Sequence, residues 1–200
     1  MKQLDQWQGE FGTTYTDRNS VDWKLRVPAF KKILEGLDLS TVLEVGCNRG
    51  HNLVSLASFL SEETEIFGIE PNCHARKLAR KTSDRISAIR GTAYDIPFLD
   101  GFFDLVFTVG VLIHVPLTEL PRALKNMGRV SGKYLLSLEY FAEEETIIPY
   151  RGHDDLLWKR NFKKHYEEAM PGLRLIKSGD LDEKDGFDSV PVRFWLFEKP

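Results

Sequence analysis

The sequence contains little cysteine and no long apolar run. Its 200 residues include two cysteines, Cys47 and Cys73, which are too few for a disulfide framework or a closed zinc site. The longest apolar stretch, residues 102–115, contains Asp104 and is shorter than the roughly 18 to 20 residues that span a bilayer. The first residues lack the apolar core of a signal peptide. We therefore expect no membrane attachment and a location in the reducing cytoplasm.

The chain also lacks an excess of charge of either sign. Lys and Arg total 27, Asp and Glu total 30, and the formal net charge is −3. A dedicated nucleic-acid-binding protein usually carries a basic excess, so the composition disfavours that class. No spacing of His, Cys or Asp indicates a metal site. With 42% hydrophobic residues, the 200-residue chain is expected to fold as one globular domain.

Strand and helix patterns alternate over the first two thirds of the chain. Short apolar, β-branched runs predict strands at residues 40–45, 65–69, 86–90, 103–109 and 133–138. Apolar residues at three- and four-residue spacing predict helices at residues 22–37, 52–60, 73–81 and 121–129. The remaining patterns predict a helix over 154–169 and strands over 173–177 and 192–198. We therefore predict an α/β fold, a doubly wound, mostly parallel sheet with an antiparallel carboxyl-terminal edge.

The loop after the first predicted strand has a pattern suited to a ligand. Gly46 follows the strand directly, which permits a sharp turn and the close approach of a ligand to the backbone. Asn48 stands where glycine is common, and asparagine tolerates the left-handed conformation. Glu70 ends the second predicted strand 24 residues after Gly46, a position suited to accepting hydrogen bonds from ribose hydroxyls. Together these residues predict a nucleoside-type ligand.

The spacing within this loop favours one kind of nucleoside. A dinucleotide loop needs small residues in the order G-x-G-x-x-G, whereas Gly50 falls two residues after Asn48 and no third glycine follows. Glu44, two residues before Gly46, would lie unfavourably beside a pyrophosphate and favourably beside a positive amino group. S-adenosylmethionine has an amino group and a ribose but no phosphate. The loop therefore favours S-adenosylmethionine over a nicotinamide dinucleotide.

These residues resemble the first motif of the class I S-adenosylmethionine-dependent methyltransferases. Residues 91–104 (GTAYDIPFLDGFFD) are similar to a later segment of that family, G-D-A-x-x-L-P-F-x-D-x-x-F-D, with Thr92 in place of an aspartate that contacts adenine. The resemblance covers about residues 41–138. It implies a Rossmann-like methyltransferase fold, S-adenosylmethionine as cofactor and S-adenosylhomocysteine as product. The expected cofactor-binding residues in this region are Glu44, Gly46, Cys47, Asn48, Glu70, Pro71, Thr92, Ala93 and Val109.

The flanking segments are similar to a narrower group, the methylases associated with pseudaminic acid and related nonulosonic sugar pathways. The similarity lies in residues 10–19 (EFGTTYTDRN), 111–115 (VLIHV), 149–153 (PYRGH) and 157–162 (LWKRNF). This resemblance implies a role in sugar biosynthesis. The implied acceptor is an anionic sugar, either nonulosonic or linked to a nucleotide.

Residues outside the motifs are candidates for the rest of the site. Tyr15 and Arg18 are expected to fold over the cofactor, with Arg18 pairing its carboxylate, unless they belong to a surface arm. His114 follows the fourth strand and is suited to act as a general base, with His153 as a second candidate. Packing or backbone capping is the alternative role for these histidines. The candidates for binding an anionic acceptor are Tyr150, Arg151, Lys159 and Arg160. The alternative is that the charged residues of this segment only solvate a helix.

We therefore predict one methyltransferase domain over residues 1–200. Residues 1–21 would form an arm or lid over the cofactor, residues 40–138 the cofactor-binding core, and residues 139–200 the substrate-side loop, helix and last strands. Displacement at a sulfonium methyl needs alignment and exclusion of water more than it needs an acid–base dyad. Two alternatives stay open, a silent S-adenosylmethionine-binding module that acts through a partner and a nicotinamide-dependent oxidoreductase.

Overall fold

A computed structural model describes residues 2–200. The strands are β1 (Thr41–Val45), β2 (Glu65–Ile69), β3 (Ile86–Ile89), β4 (Phe103–Val109), β5 (Ser131–Tyr140), β6 (Thr146–Ile147), β7 (Trp158–Lys159), β8 (Arg174–Leu181) and β9 (Val192–Glu198). The α-helices are α1 (Lys2–Gln8), α2 (Glu10–Arg18), α3 (Val27–Leu34), α4 (His51–Ala57), α5 (Cys73–Thr82), α6 (Leu120–Val130) and α7 (Phe162–Ala169). Short 3₁₀ turns cover Trp23–Arg26, Leu112–His114 and Glu183–Asp185. Within the described range, no helix is both long enough and apolar enough to cross a membrane.

Seven strands form one sheet in the order β3-β2-β1-β4-β5-β9-β8. The pairs among β1 to β5 are parallel, whereas β9 pairs antiparallel with both β5 and β8. This arrangement confirms the predicted α/β fold with an antiparallel carboxyl-terminal edge. Strands β2 and β3 lie on one side of β1, and β4 and β5 lie on its other side, so the strand order reverses between β1 and β4. Open sheets of this kind leave a crevice for ligands at the carboxyl ends of the strands beside the switch.

The central strands are buried on both faces because helices cover each side of the sheet. Val42 of β1 joins a cluster that contains Phe30 of α3 and Leu53 of α4. The next residue, Leu43, joins the opposite cluster with Met127 of α6. Continuous apolar strands are typical of parallel sheets that are covered on both sides. The two clusters hold the carboxyl ends of β1 and β4 in fixed positions.

Several predicted boundaries agree with the structure. The predicted strands over 65–69, 103–109 and 192–198 have the observed bounds. The predicted helix over 22–37 instead begins as a 3₁₀ turn, and α3 starts at Val27 with Pro28 in its first turn. Proline is tolerated there because the N–H that it lacks would have no partner inside the helix.

The predicted helix over residues 154–169 is wrong in its first half. Residues 154–161 form a loop and strand β7, in which Trp158 pairs with Ile147 of β6. Leu156, Leu157 and Trp158 are all buried, and three consecutive buried residues cannot share one face of a surface helix. Helix α7 begins only after Asn161, whose side chain accepts a hydrogen bond from the Lys164 amide at 3.5 Å.

Within the arm predicted over residues 1–21, residues 2–18 form the two helices α1 and α2. The helices meet at Gly9, whose amide donates to the carbonyl oxygens of Asp5 and Gln6. A Cβ atom on Gly12 would lie 1.9 Å from the Trp7 carbonyl oxygen, so only glycine permits the close approach of α2 to the end of α1. We refer to α1 and α2 together as the helical pair.

Candidate functional site

A cavity of about 570 Å³ lies at the carboxyl ends of β1, β2, β4 and β5. Its volume is within the range of roughly 300 to 1,000 Å³ that holds small molecules and cofactors. The loop after β1, the residues after β2 and the segment after β4 line one part of it. The helical pair and Tyr150, beyond β5, line another part. The cavity therefore occupies the position expected for a ligand in an open parallel sheet.

The loop after β1 is a tight turn with little room for side chains. Gly46 has φ +78°, and its amide donates to the Ile69 carbonyl oxygen at 2.8 Å. A Cβ atom on Gly46 would lie 2.7 Å from Cγ2 of Val111. Asn48 has φ +46°, the left-handed conformation that the sequence analysis expects for it. The turn therefore presents bare backbone to the cavity.

Glu70 connects this loop to the start of α5. Its side chain is buried and accepts hydrogen bonds from the amides of Asn48 at 3.0 Å and Asn72 at 2.8 Å. Burial raises the pKa of Glu70 to about 7, and the hydrogen bonds from those two amides oppose the rise. Each carboxylate oxygen retains a lone pair, so Glu70 can still accept hydrogen bonds from a ligand.

Glu44 lies beneath the same loop and is 1% exposed. Its Oε1 accepts a hydrogen bond of 2.6 Å from Asn52, whose own side-chain oxygen accepts one of 2.6 Å from Arg26. The other oxygen, Oε2, is buried and has no partner among residues 2–200. Burial raises the pKa of Glu44 to about 8. An unpartnered buried oxygen is costly, so a donor on a bound ligand would stabilise this arrangement.

The remaining predicted cofactor residues also line the cavity. Thr92 accepts hydrogen bonds through its hydroxyl oxygen from the amides of Tyr94 and Asp95, both at 3.2 Å. This local turn fixes the backbone after β3. Residues that share the wall with Thr92 and Glu70 are Cys47, Pro71, Ala93 and Val109.

His114 lines the cavity beyond β4. Its Nδ1 is 2.5 Å from the Leu156 carbonyl oxygen, which can only accept, so Nδ1 carries the proton and Nε2 is the basic nitrogen. Burial lowers the pKa of His114 to about 4. The imidazole is therefore neutral near pH 7 and can accept a proton at Nε2.

Glu139 of β5 positions the segment that carries His114. Its buried carboxyl accepts hydrogen bonds from the amides of Val111 at 3.3 Å and Ile113 at 3.2 Å. Burial raises the pKa of Glu139 to about 7. The side chain of Val111 also packs against Gly46. The Glu139 carboxyl therefore positions both the valine that packs on the loop after β1 and the turn before His114.

The helical pair brings aromatic rings over His114. The Trp7 ring lies 4.6 Å from the His114 ring and 5.2 Å from the Tyr15 ring. Phe11 contacts Tyr150 at 6.4 Å between ring centroids. Burial raises the pKa of the Tyr15 hydroxyl above its ordinary value, so Tyr15 is neutral. The helical pair therefore covers the cavity with an aromatic wall.

The two predicted cations that reach the cavity are Arg18 and Arg151. The Arg18 guanidinium lies 5.5 Å from the centre of the Tyr15 ring, and the Arg151 guanidinium lies 5.8 Å from that of Tyr150. Neither arginine forms an ion pair with a carboxylate of residues 2–200. Both charges are therefore available to an anionic ligand.

Three predicted site residues, His153, Lys159 and Arg160, lie outside the lining of the cavity. Arg160 is 1% exposed and donates to Glu145 at 2.5 Å and to the Val115 carbonyl oxygen at 2.7 Å, so it braces the interior. Lys159 lies over the ring of Tyr140, with 6.0 Å between its Nζ and the ring centre. His153 packs beside Phe11 and closes a turn through its backbone.

The structure adds residues that the sequence analysis does not identify. Trp7 and Arg26 reach the cavity from outside the motif region, and Tyr140 donates to Asp188 on its wall at 2.6 Å. No local pattern identifies these residues, because their partners lie far away in the sequence. Asn72 also lines the cavity, and its place between Pro71 and a helical pattern is a capping signal that the sequence does contain.

The sequence of the core is similar to that of methyltransferases. Residues 42–133 match the family described as "Methyltransferase domain". A demethylmenaquinone methyltransferase of Lactiplantibacillus plantarum is 33% identical over 119 residues, which cover 54% of this chain and 48% of that protein. The chain thus aligns with about half the length of that relative. A demethylmenaquinone methyltransferase of Bacillus licheniformis is 29% identical over 172 residues, covering 76% of this chain and 72% of the relative.

The fold is similar to that of a solved structure with a bound cofactor product. This structure is the 1,6-didemethyltoxoflavin-N1-methyltransferase of Burkholderia thailandensis with 1,6-didemethyltoxoflavin and S-adenosylhomocysteine. The TM-score is 0.74 at 12% identity, with coverage of 99% of this chain and 89% of that chain. The similarity in sequence and fold is to methyltransferases, so the nicotinamide-dependent alternative is set aside.

Proposed function

We propose that this chain is an S-adenosylmethionine-dependent methyltransferase and that its acceptor is a small molecule with an acidic group and a hydroxyl. The observation that carries the proposal is Arg151, which lines the same cavity as His114 without a carboxylate partner within residues 2–200. Arg18 lines this cavity too, and we assign it to the carboxylate of the cofactor. Arginine binds a carboxylate or phosphate through two parallel hydrogen bonds. A nonulosonic or nucleotide-linked sugar has the required groups, in keeping with a role in sugar biosynthesis.

The cofactor side fits S-adenosylmethionine on two observations. Glu44 Oε2 and Asn48 Oδ1 are buried without partners in the described part of the chain, and Gly46 leaves backbone exposed in a space that a Cβ atom would fill. We propose that Glu44 and the Gly46 loop hold the amino end of the cofactor. Glu70 would accept hydrogen bonds from the ribose hydroxyls. When bound, the cofactor supplies a methyl group on a positively charged sulfur.

The chain itself has to orient the acceptor, take up its proton and exclude water. His114 would accept the acceptor's hydroxyl proton at Nε2, because Nδ1 is held by the Leu156 carbonyl oxygen. The helical pair would exclude water, since Trp7 and Tyr15 lie over this part of the cavity. We propose that residues 1–21, of which residue 1 lies outside the described residues, are the lid of a single methyltransferase domain. Residues 40–138 would be its cofactor-binding core and residues 139–200 its substrate side.

A second candidate acceptor is a planar ring compound. The observation that favours it is the aromatic wall of Trp7, Tyr15, His114 and Tyr150, on which a flat ring can stack. The names of the similar proteins refer to demethylmenaquinone and didemethyltoxoflavin. In both candidates His114 faces the group that is methylated, and they differ in whether Arg151 or the rings select the acceptor.

Methyl transfer from labelled S-adenosylmethionine to matched acceptors tests these candidates. The panel contains N-acetylneuraminic acid with its methyl ester, a nucleotide-linked sugar with the free sugar, and 1,4-dihydroxynaphthalene. The proposal expects turnover of an acid or a nucleotide-linked sugar and little turnover of its neutral counterpart. Equal turnover of each pair would contradict the anionic acceptor, and turnover of the naphthalene alone would favour the planar ring.

A further inference from the structure

Asn72 links the cofactor side of the cavity to helix α5. It is 2% exposed, and its Oδ1 accepts hydrogen bonds from the amides of His74 at 2.9 Å and Ala75 at 3.1 Å. Its backbone amide donates to Glu70 Oε1 at 2.8 Å. The cap of α5 and the orientation of Glu70 therefore depend on the same residue.

The amide nitrogen of the Asn72 side chain points to the junction of the helical pair. Nδ2 lies 3.1 Å from the Trp7 carbonyl oxygen, 3.3 Å from that of Gln8 and 3.2 Å from that of Gly9. The Thr13 hydroxyl is also 3.3 Å away. The two N–H groups of Nδ2 cannot fully satisfy four acceptors, so these N–H groups are shared between oxygens at the end of α1 and at the start of α2. One side chain thus fixes the point at which the two helices meet.

The opposite side of the helical pair rests on the acceptor part of the cavity. Trp7 packs on His114 at 4.6 Å and Phe11 on Tyr150 at 6.4 Å between ring centroids. A rotation of the helical pair about its junction would therefore move Trp7 relative to His114. Helix α2 is also tied to α5 by the exposed pair of Asp17 and His74, with 2.6 Å between Oδ1 and Nε2.

We propose that Asn72 is a positioning residue that couples cofactor binding at Glu70 to closure of the helical pair over the acceptor. The inference rests on the proposed function, because it takes Glu70 as the ligand of the cofactor ribose. A ligand that fixes the Glu70 carboxylate also fixes the Asn72 amide bonded to it. The Asn72 side chain transmits this order to the junction at Gly9. Binding of the cofactor alone then orders the lid.

Hydrogen exchange with S-adenosylhomocysteine tests the coupling without an acceptor. In the native protein, the ligand is expected to slow exchange in residues 3–18. Asn72→Asp keeps an oxygen that caps α5, but it places a carboxylate oxygen against three carbonyl oxygens. We expect exchange in residues 3–18 of this variant to be about tenfold faster, equivalent to ~1.4 kcal/mol, and unaffected by the ligand. Calorimetry gives the S-adenosylhomocysteine concentration that saturates each protein, and exchange is compared at saturation.

Two further variants separate coupling from a general loss of structure. Asp17→Asn, which weakens the exposed tie between the same helices, should exchange as the native protein does. Asn72→Ser keeps the cap without adding charge and should lose part of the ligand effect, while exchange in residues 74–82 stays native. Slowing of residues 3–18 by the ligand in Asn72→Asp, or no slowing in a native protein that binds the ligand, would overturn the coupling. No binding by the native protein would instead overturn the role of Glu70, and the coupling with it.

Discussion

The two sides of the cavity differ in how they are assembled. Most of the cofactor side comes from one continuous strand–loop–helix–strand unit, residues 41–72, in which β1 and β2 are neighbours, and residues 92, 93 and 109 complete it. The acceptor side combines Trp7, His114 and Tyr150, which belong to three separate parts of the chain. Only the first arrangement leaves a pattern within a short stretch of sequence. The difference explains why the cofactor has a recognisable motif and the acceptor does not.

The two sides also differ in how firmly their charges are held. Glu44 and Glu70 are buried and are bound by groups of the protein. On the acceptor side, Arg151 is exposed and its guanidinium lies over the Tyr150 ring. A buried, hydrogen-bonded side suits one invariant cofactor, and an exposed side suits an acceptor that enters and leaves. Changes on the two sides should therefore have separable effects.

The largest effect is expected for His114→Gln. If His114 accepts the acceptor proton, turnover should fall by roughly 10²- to 10⁴-fold while the affinity for S-adenosylhomocysteine stays native. Since burial lowers the pKa of His114 to about 4, the native rate should rise with pH through that range and be flat near neutrality. Methyl transfer followed over pH measures both features. His153→Gln is the matched control and should keep native turnover, because His153 does not line the cavity.

A loss of cofactor affinity is expected for Gly46→Ala. The added Cβ atom would meet Val111 at 2.7 Å, at a backbone φ of +78°. We expect a loss of ~2–4 kcal/mol in binding of S-adenosylhomocysteine by calorimetry. Gly36→Ala is the matched control, because Gly36 has φ +82° and no atom within 4 Å of the added Cβ. Equal losses in both variants would show that backbone strain alone is responsible and would contradict the role of the loop.

A smaller loss of affinity is expected for Glu70→Gln. The amide keeps the shape of the side chain but weakens charge-assisted acceptance, which costs ~1–3 kcal/mol. Because burial raises the pKa of Glu70 to about 7, native affinity should increase as the pH rises through that value and the carboxyl loses its proton. The variant should lack this dependence. Calorimetry at several pH values would contradict the assignment if both proteins showed the same profile.

The smallest effect is expected for Arg151→Lys. Lysine keeps the charge but cannot form two parallel hydrogen bonds, so kcat/KM for an anionic acceptor should fall by ~1–2 kcal/mol. The affinity for S-adenosylhomocysteine should not change. The measurement uses whichever acid or nucleotide-linked sugar the panel methylates. Lys159→Gln serves as the control, and a larger effect there than at Arg151 would move the acceptor site away from the cavity.

The sheet itself could be predicted from local patterns. Strands such as 65–69 and 103–109 are short apolar runs. The alternation of strands with helices is enough to predict that helices cover both faces of these strands. The prediction failed at residues 154–161, because Trp158 pairs with Ile147 in a hairpin that no helical periodicity describes. It also missed the helical pair, whose position depends on Asn72 more than 50 residues away.

The sequence by itself determined the strand–loop–strand unit with Gly46 and Glu70. The glycine ends one predicted strand and the acid ends the next strand, so both signals lie within a short segment and can be recognised without the tertiary structure. Only the tertiary structure decided which of the other polar residues face the cavity. Burial turned Arg160 into an internal brace, whereas Arg151 stayed on the wall, although both belong to one basic segment. The tertiary structure also decided the properties of His114. Its basic nitrogen and its lowered pKa come from the Leu156 carbonyl oxygen and from burial, and neither can be derived from neighbouring residues.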